Sequence, residues 1–327
     1  MAGLRWGIMG TGGIAATMCE TLQQEGAEVV AIGSARLEAA ERFSHEWQVP
    51  HVFDSHRGVA MHGEVDVVYV ATTNDRHFGN VLDCVELGKP VLCEKPIALN
   101  AEQARLMLRA ARSGGIFAMD AMWMRFLPFV TQLDQLLATG AIGDVRNVSA
   151  NLSFVANDDW SRRWLSRELG GGALLDLGIY PLTLVHHLLG PPTDTVAAAR
   201  LAPTGVDFSC RVISDHGGEA AATMTASLTA ETGNDAIVGG SEGLIRIHSP
   251  FHHSGLLTVE RHGRVVASYP CGYEGHGFRF EIAEAERCVR DGLVESPVRP
   301  HSETIAVMEW LDVIRAQCGI FYPQDPE

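Results

Sequence analysis

A chain of 327 residues with 46% apolar composition is long enough to bury two cores, so two domains are expected. Its 40 acidic against 25 basic residues give a formal charge of −15, which excludes a broadly basic surface and with it nucleic acid as a partner. The seven cysteines (Cys19, Cys84, Cys93, Cys210, Cys271, Cys288 and Cys318) form no C-x-x-C pair, and no apolar run is long enough to span a bilayer. Reduced thiols, no secretory signal and no membrane segment together read as a cytoplasmic protein.

In chain order, Leu4 to Met9 reads as a short apolar strand running into Gly10-Thr11-Gly12-Gly13-Ile14-Ala15. A helical pattern follows, with Ile14, Met18 and Leu22 on one face. A G-x-G-x-x-A turn between strand and helix is the dinucleotide fingerprint in its proper context. Gly10 allows the tight turn, Gly12 the approach of a pyrophosphate to the helix N-terminus, and Ala15 close packing of helix on strand. The next strand, Glu28 to Ile32, ends in Gly33-Ser34-Ala35-Arg36. An NAD enzyme usually has an acid here to hold the ribose 2′-hydroxyl. None is present, and Ser34 with Arg36 suits a 2′-phosphate, because a guanidinium forks onto phosphate oxygens. NADP is therefore expected, with NAD possible.

Val65 to Val70 is a further buried-type strand, followed by Ala71-Thr72-Thr73-Asn74-Asp75-Arg76-His77 and a helix to Leu87. Val91-Leu92-Cys93 comes next and ends in Glu94-Lys95-Pro96. This alternation predicts a doubly wound parallel Rossmann sheet over residues 1–121, with its ligand at the carboxyl ends of the strands. Lys95 falls on that edge, where a nicotinamide would sit. Residues 122–327 read as an α+β domain with a large open, mostly antiparallel sheet. Its expected strands are Val145 to Phe154, Val196 to Leu201, Phe208 to Ser214, Ala220 to Leu228, Ile237 to Gly240, Gly243 to His248 and Leu256 to Arg261. A closing amphipathic helix, 303–318, is expected to pack back on the first domain.

Within the second domain, Gly170-Gly171-Gly172-Ala173-Leu174-Leu175-Asp176-Leu177-Gly178-Ile179-Tyr180-Pro181 sets an acid and a phenol four residues apart after three glycines. On a helix they share a face. The phenol can carry a proton to or from a substrate oxygen while the carboxylate orients it. A free phenol titrates near about 10, so nearby positive charge, such as Lys95, is needed for it to ionise usefully at neutral pH. Pro181 inside such a helix would remove a hydrogen bond and kink it. His186-His187 and His252-His253 invite a metal reading, but neighbours on one helix point apart and nothing completes a ligand set, so no metal is expected.

Together these motifs resemble the Gfo/Idh/MocA oxidoreductases. The resemblance is carried by the glycine turn, Ala71-Thr72-Thr73-Asn74 with His77, Gly88 through Pro96, and the Asp176–Tyr180 segment. Weaker matches run from Gly275 to Glu281 and from Glu295 to Pro323. Tyrosine at 180, where many members have histidine, is similar to the branch of trans-dihydrodiol dehydrogenases, glucose–fructose oxidoreductase and NADP-dependent xylose dehydrogenases. Asp120 through Phe126 matches the same branch, which usually has Glu at the position of Asp120. NADP-using relatives often carry Ser-Arg together, whereas here Ala35 intervenes.

The resemblance implies Lys95, Asp176 and Tyr180 as the catalytic group. It implies cofactor contacts from Gly10, Thr11, Gly12, Gly13, Ile14, Ser34, Arg36, Thr72, Thr73, Asn74, His77, Glu94, Lys95 and Pro96. Trp123, Arg125, Phe154, Trp160, Arg163 and Trp164 are implied to face a small-molecule sugar or diol, and the sheet to form a homodimer. The expected reaction is hydride transfer between nicotinamide and a hydroxyl or carbonyl carbon, Tyr180 serving as general acid/base. A keto-sugar reductase of the anhydrofructose type remains the alternative. A non-catalytic NADP-binding regulator would be expected to lack Lys95, Asp176 or Tyr180, and all three are present.

Overall fold

A computed structural model describes residues 3–156 and 163–325. The chain forms two compact units, Met1–Trp123 with Gly275–Ile305, and Met124–Glu274 with Ala306–Glu327. No helix among the described residues is long and apolar enough to cross a membrane.

In the first unit the strands are β1 (Arg5–Met9), β2 (Glu28–Gly33), β3 (His51–Phe53), β4 (Val67–Val70), β5 (Val91–Glu94) and β6 (Ala118–Ala121). The helices between them are α1 (Gly13–Gln24), α2 (Leu37–Trp47), α3 (His56–Met61), α4 (Asn74–Glu86) and α5 (Ala101–Gly114). All strand pairs are parallel and the order is β3-β2-β1-β4-β5-β6, the doubly wound arrangement whose switch point lies between β1 and β4. The central strands are buried on both faces, which is why they read as continuous apolar runs. Met18 and Leu22 of α1 are fully buried, each worth about 1.5–3 kcal/mol of burial, but Ile14 is 40% exposed, contrary to the expected face. At the helix start it is Ala15, one residue on, that meets the sheet.

The second unit contains α6 (Pro128–Ala138), β7 (Val145–Ser153), α7 (Ile179–Leu189) and the strands β8 (Asp194–Leu201), β9 (Asp207–Asp215), β10 (Ala221–Ser227), β11 (Ala236–Gly240), β12 (Leu244–Ile247), β13 (Leu256–Arg261) and β14 (Arg264–Pro270). They form one sheet in the order β14-β13-β12-β11-β7-β10-β9-β8, antiparallel except for the parallel pair β7 and β10. The expected strands recur within two residues at either end. β14 was not expected, because it is an exposed hairpin arm with no buried face to pattern its sequence.

Two helices end the chain, α8 (Phe278–Arg290) and α9 (His301–Cys318). α8 belongs to the first unit, as do the first residues of α9, through Ile305. There the late segment closes the Rossmann core: Ala118 N–H donates to Val294 O at 3.1 Å and Trp6 Nε1–H donates to Glu286 Oε1 at 3.1 Å. The guanidinium of Arg299, 1% exposed, grips the carboxylate of Asp120, 2% exposed, from 2.9 to 3.2 Å. Asp120 also accepts from Thr304 Oγ1 at 2.9 Å, so it is a structural ion-pair residue.

Candidate functional site

In the first unit the glycine turn is built around Gly10, whose φ of +109° favours glycine and whose N–H donates to Gly33 O at 2.9 Å. A Cβ there would lie 2.5 Å from Ala71 O, so the close approach of β1 and β4 also demands glycine. Gly12, at the N-cap of α1, and Gly13 have nothing within 4 Å of an added Cβ. This bare ledge in front of free helix N–H groups, next to the switch point, fits a dinucleotide pyrophosphate. Ser34 is buried, and its Oγ accepts from Arg36 N–H at 3.2 Å, shaping the turn that presents exposed Arg36 at the N-cap of α2.

The next two turns are tied together by His77, whose ring nitrogens lie 2.9 Å from Pro96 O and 3.1 Å from Thr72 O. Asn80 Nδ2 donates to Thr72 Oγ1 at 2.9 Å, and Asn74 and His77 begin α4 with buried side chains rather than lying in a turn. Glu94 is buried at the end of β5, where it accepts from the Tyr69 hydroxyl and from Lys95 N–H at 3.1 Å. Lys95, half-buried, is followed by a cis peptide to Pro96. Burial pushes the Tyr69 hydroxyl well above its ordinary range, and the charge of Glu94 adds to the rise. Glu281 of α8 is completely buried in this unit; desolvation holds its carboxyl well up, reinforced by Glu94 and Asp120. Trp123 packs at a tilt against His276, ring centroids 5.7 Å apart, and meets Phe278 edge-on at 5.4 Å.

In the second unit Asp176 lies in a π-helical turn, Leu174–Gly178, that leads into α7 with Tyr180 as its second residue. The expected single α-helix is thus interrupted. The wider turn runs through helical backbone at Gly178 and Ile179 straight into α7, and Pro181, which has no N–H to give, follows directly after this change of hydrogen-bond register. Asp176 is 1% exposed and Tyr180 6%. Arg163 Nη2 lies 3.7 Å from Asp176 Oδ1 and its guanidinium covers the Trp164 ring at 4.8 Å, while Phe154 meets Trp164 edge-on at 5.2 Å. Phe154, Arg163 and Trp164 are therefore gathered beside Asp176. Arg125 is buried within the short 3-10 turn Trp123–Phe126, and Trp160 lies outside the described residues.

Two residues were missed by sequence reasoning. His252, set aside above as half of a metal pair, has its ring 5.0 Å from that of Tyr180. Asp207, the first residue of β9, is fully buried and accepts from Leu174 N–H at 2.8 Å, fixing the start of the π turn. Burial raises its carboxyl to about 7, with the charge of Asp176 adding to the rise. Gly172 has φ +122°, and a Cβ there would stand 2.4 Å from Asp207 Oδ1, so the glycine makes room for this acid. No local pattern announces Asp207, because its partner lies 33 residues away.

A Rossmann unit with an open phosphate ledge, joined in one chain to an open-sheet unit bearing an acid–phenol pair, defines a class of two-unit, nucleotide-dependent oxidoreductases. The oxidoreductase family profile described as an NAD-binding Rossmann fold matches residues 4–120, and the GFO/IDH/MocA C-terminal domain matches residues 130–246. The chain is 35% identical over 338 residues to trans-1,2-dihydrobenzene-1,2-diol dehydrogenase from Bos taurus, covering 98% of this chain and 99% of that one. It is 33% identical to the D-xylose 1-dehydrogenase (NADP(+)) of Hypocrea jecorina, covering 98% and 93%. In fold it resembles a 3-ketoreductase from Actinomadura kijaniata in complex with NADP and TDP-benzene, with a TM-score of 0.88, 24% identity and coverage of 97% and 98%. The chain belongs to the Gfo/Idh/MocA family. It is an NAD(P)-binding oxidoreductase.

Proposed function

We propose that this protein is an NADP-preferring dehydrogenase of CH–OH groups in a sugar or a trans-dihydrodiol. The observation that carries the reading is the Asp176–Tyr180 pair, an almost wholly buried acid presented by a π turn just ahead of the phenol. The full-length likeness to a dihydrodiol dehydrogenase and a xylose dehydrogenase supports the substrate classes, and the acid-free Ser34–Arg36 turn supports the 2′-phosphate.

The nicotinamide of NADP, when bound, supplies or accepts the hydride. Gly10, Thr11, Gly12, Gly13 and Ile14 would cradle its pyrophosphate, and Ser34 with Arg36 its ribose phosphate. Thr72, Thr73, Asn74, His77, Glu94, Lys95 and Pro96 would line the strand edge that holds the remainder. The Tyr180 hydroxyl passes the proton to or from the substrate oxygen, Lys95 Nζ donates to that oxygen, and Asp176 orients the group. Glu94, by accepting from Lys95 N–H, sets the main chain from which the lysine projects. Trp123, Arg125, Phe154, Arg163 and Trp164 hold the substrate.

We further propose a cytoplasmic homodimer through the open face of the second sheet. Val196 and Ile213 stand directly opposite each other there, 63% and 60% exposed.

Nicotinamide absorbance, followed with NADP and with NAD over a panel of aldopyranoses and trans-dihydrodiols, tests the reading. Turnover of one class with NADP supports it, and Tyr180→Phe then cuts turnover by about a hundredfold or more while cofactor binding persists. Turnover confined to NADPH with ketones would replace it with a keto-sugar reductase. Cofactor binding without any turnover would replace it with a regulator.

A further inference from the structure

Neither group above uses the edge strand β3 or the loop after α3, yet three donor side chains converge there. One donor atom each from His51, His62 and Glu64 lies within 4.8 Å of the others. The carboxylate oxygen Glu64 Oε2 is the hub, 3.2 Å from His51 Nε2 and 3.7 Å from His62 Nε2. We propose that His51, His62 and Glu64 form a site for a divalent transition-metal ion of the zinc type, with solvent completing its coordination.

Two imidazoles and a carboxylate are a zinc donor set, and three protein ligands leave one tetrahedral position open. With metal–ligand distances of about 2.0–2.2 Å, tetrahedral donors lie about 3.3 Å apart, against 3.2 and 3.7 Å for the two carboxylate–imidazole separations here and no more than 4.8 Å between the imidazole donors. Imidazole selects against magnesium and calcium, which prefer all-oxygen shells. The arrangement is also held in place without an ion. His51 is locked into the sheet opposite Ala31 of β2, and the His51 and His62 rings pack at 4.2 Å with Phe53 against His62 at 5.6 Å. His62 sits at the C-cap of α3, its N–H donating to Val59 O and its carbonyl accepting from Val65 N–H, each at 3.2 Å. The cations Lys89 and Arg5 face this loop and both have partners: Lys89 Nζ donates to His62 O at 3.2 Å and to Val65 O at 2.7 Å, and the Arg5 guanidinium is paired with Asp66 at 3.0 Å. The surplus of 15 negative charges favours cation binding generally. The ligands escape a sequence motif because His51 comes from a strand and the other two from beyond the following helix.

Occupancy would bind β3 to the loop after α3. β3 carries Phe53, whose carbonyl accepts from Ser34 N–H at 3.2 Å, so the metal would brace the backing of the ribose turn. The test is calorimetric titration of the chelator-treated full chain with zinc chloride, alongside the variants His51→Ala, His62→Ala and Glu64→Gln. Circular dichroism and urea midpoints without metal serve to show that these surface variants fold as the parent does. A saturable one-to-one component is expected in the parent, absent with magnesium chloride and weakened at least about tenfold in each histidine variant. Cobalt(II) is expected to give a tetrahedral-type visible spectrum in the parent that is lost in His62→Ala. No saturable zinc component, or histidine variants that retain the parent's zinc affinity, would overturn the site.

Discussion

Replacing Asp207 with Asn turns a buried acid into a group that cannot ionise, and the consequence is a measurable change in how stability depends on pH. The carboxyl rises from an ordinary value of 3.8 to about 7 on folding, first because of burial and then because of the charge of Asp176. Between those two values the folded chain holds a proton that the unfolded chain releases, so stability falls as pH rises through that window and levels off above it. The full span corresponds to about 4 kcal/mol at 1.36 kcal/mol for each tenfold change in proton affinity. Asparagine keeps an oxygen for Leu174 N–H, while its buried amide adds a cost of about 1–3 kcal/mol that is the same at every pH. Urea unfolding of parent and variant from pH 4.5 to 8.5 is therefore expected to show a difference that grows in the variant's favour toward pH 7 and then flattens. A difference that stays level across this range would refute the assignment of a raised carboxyl to Asp207.

Arg36→Ala is expected to raise the KM for NADP about tenfold or more and leave that for NAD nearly unchanged, as seen in parallel kinetics with the two nucleotides. Gly10→Ala forces a Cβ to within 2.5 Å of Ala71 O at a positive φ, and is expected to cost about 3 kcal/mol or more in thermal or urea unfolding and to abolish nucleotide binding. Arg299→Met takes the counter-ion from the buried Asp120 carboxylate and from Glu303, for a loss of about 3–5 kcal/mol in urea unfolding, and the added change Asp120→Leu is expected to recover only part of it, because it removes the deeper of the two stranded charges and leaves Glu303 unpaired by Arg299.

The nucleotide side of the molecule was legible because its constraints are local. Gly10 must be glycine for its own φ and for the β4 backbone beside it, and buried parallel strands such as Val67–Val70 show as unbroken apolar runs. β3 and β6, three and four residues long, escaped notice because neither stands out as an apolar run, and β6 carries the buried charge of Asp120. In the second unit the Asp176–Tyr180 spacing was visible, but a period of 3.6 cannot report that the turn between them is π-helical. What stabilises that turn, Asp207 and the room left by Gly172, depends on residues brought together by the sheet, and so does the tilted ring contact of His252 with Tyr180.

The return of residues 275–305 to the Rossmann core has a consequence for biosynthesis. The carboxylate of Asp120 gains its buried counter-ion only when Arg299 has been made, and the Trp6 indole its acceptor only with Glu286. At about 5–20 residues per second, a ribosome that has finished β6 needs on the order of ten seconds or more to deliver Arg299. Through that interval the nascent N-terminal half carries an uncompensated acid at an unfinished sheet edge. The nucleotide unit is thus first in sequence but among the last parts of the chain to be completed, and vectorial synthesis leaves it to chaperones for longer than its position suggests.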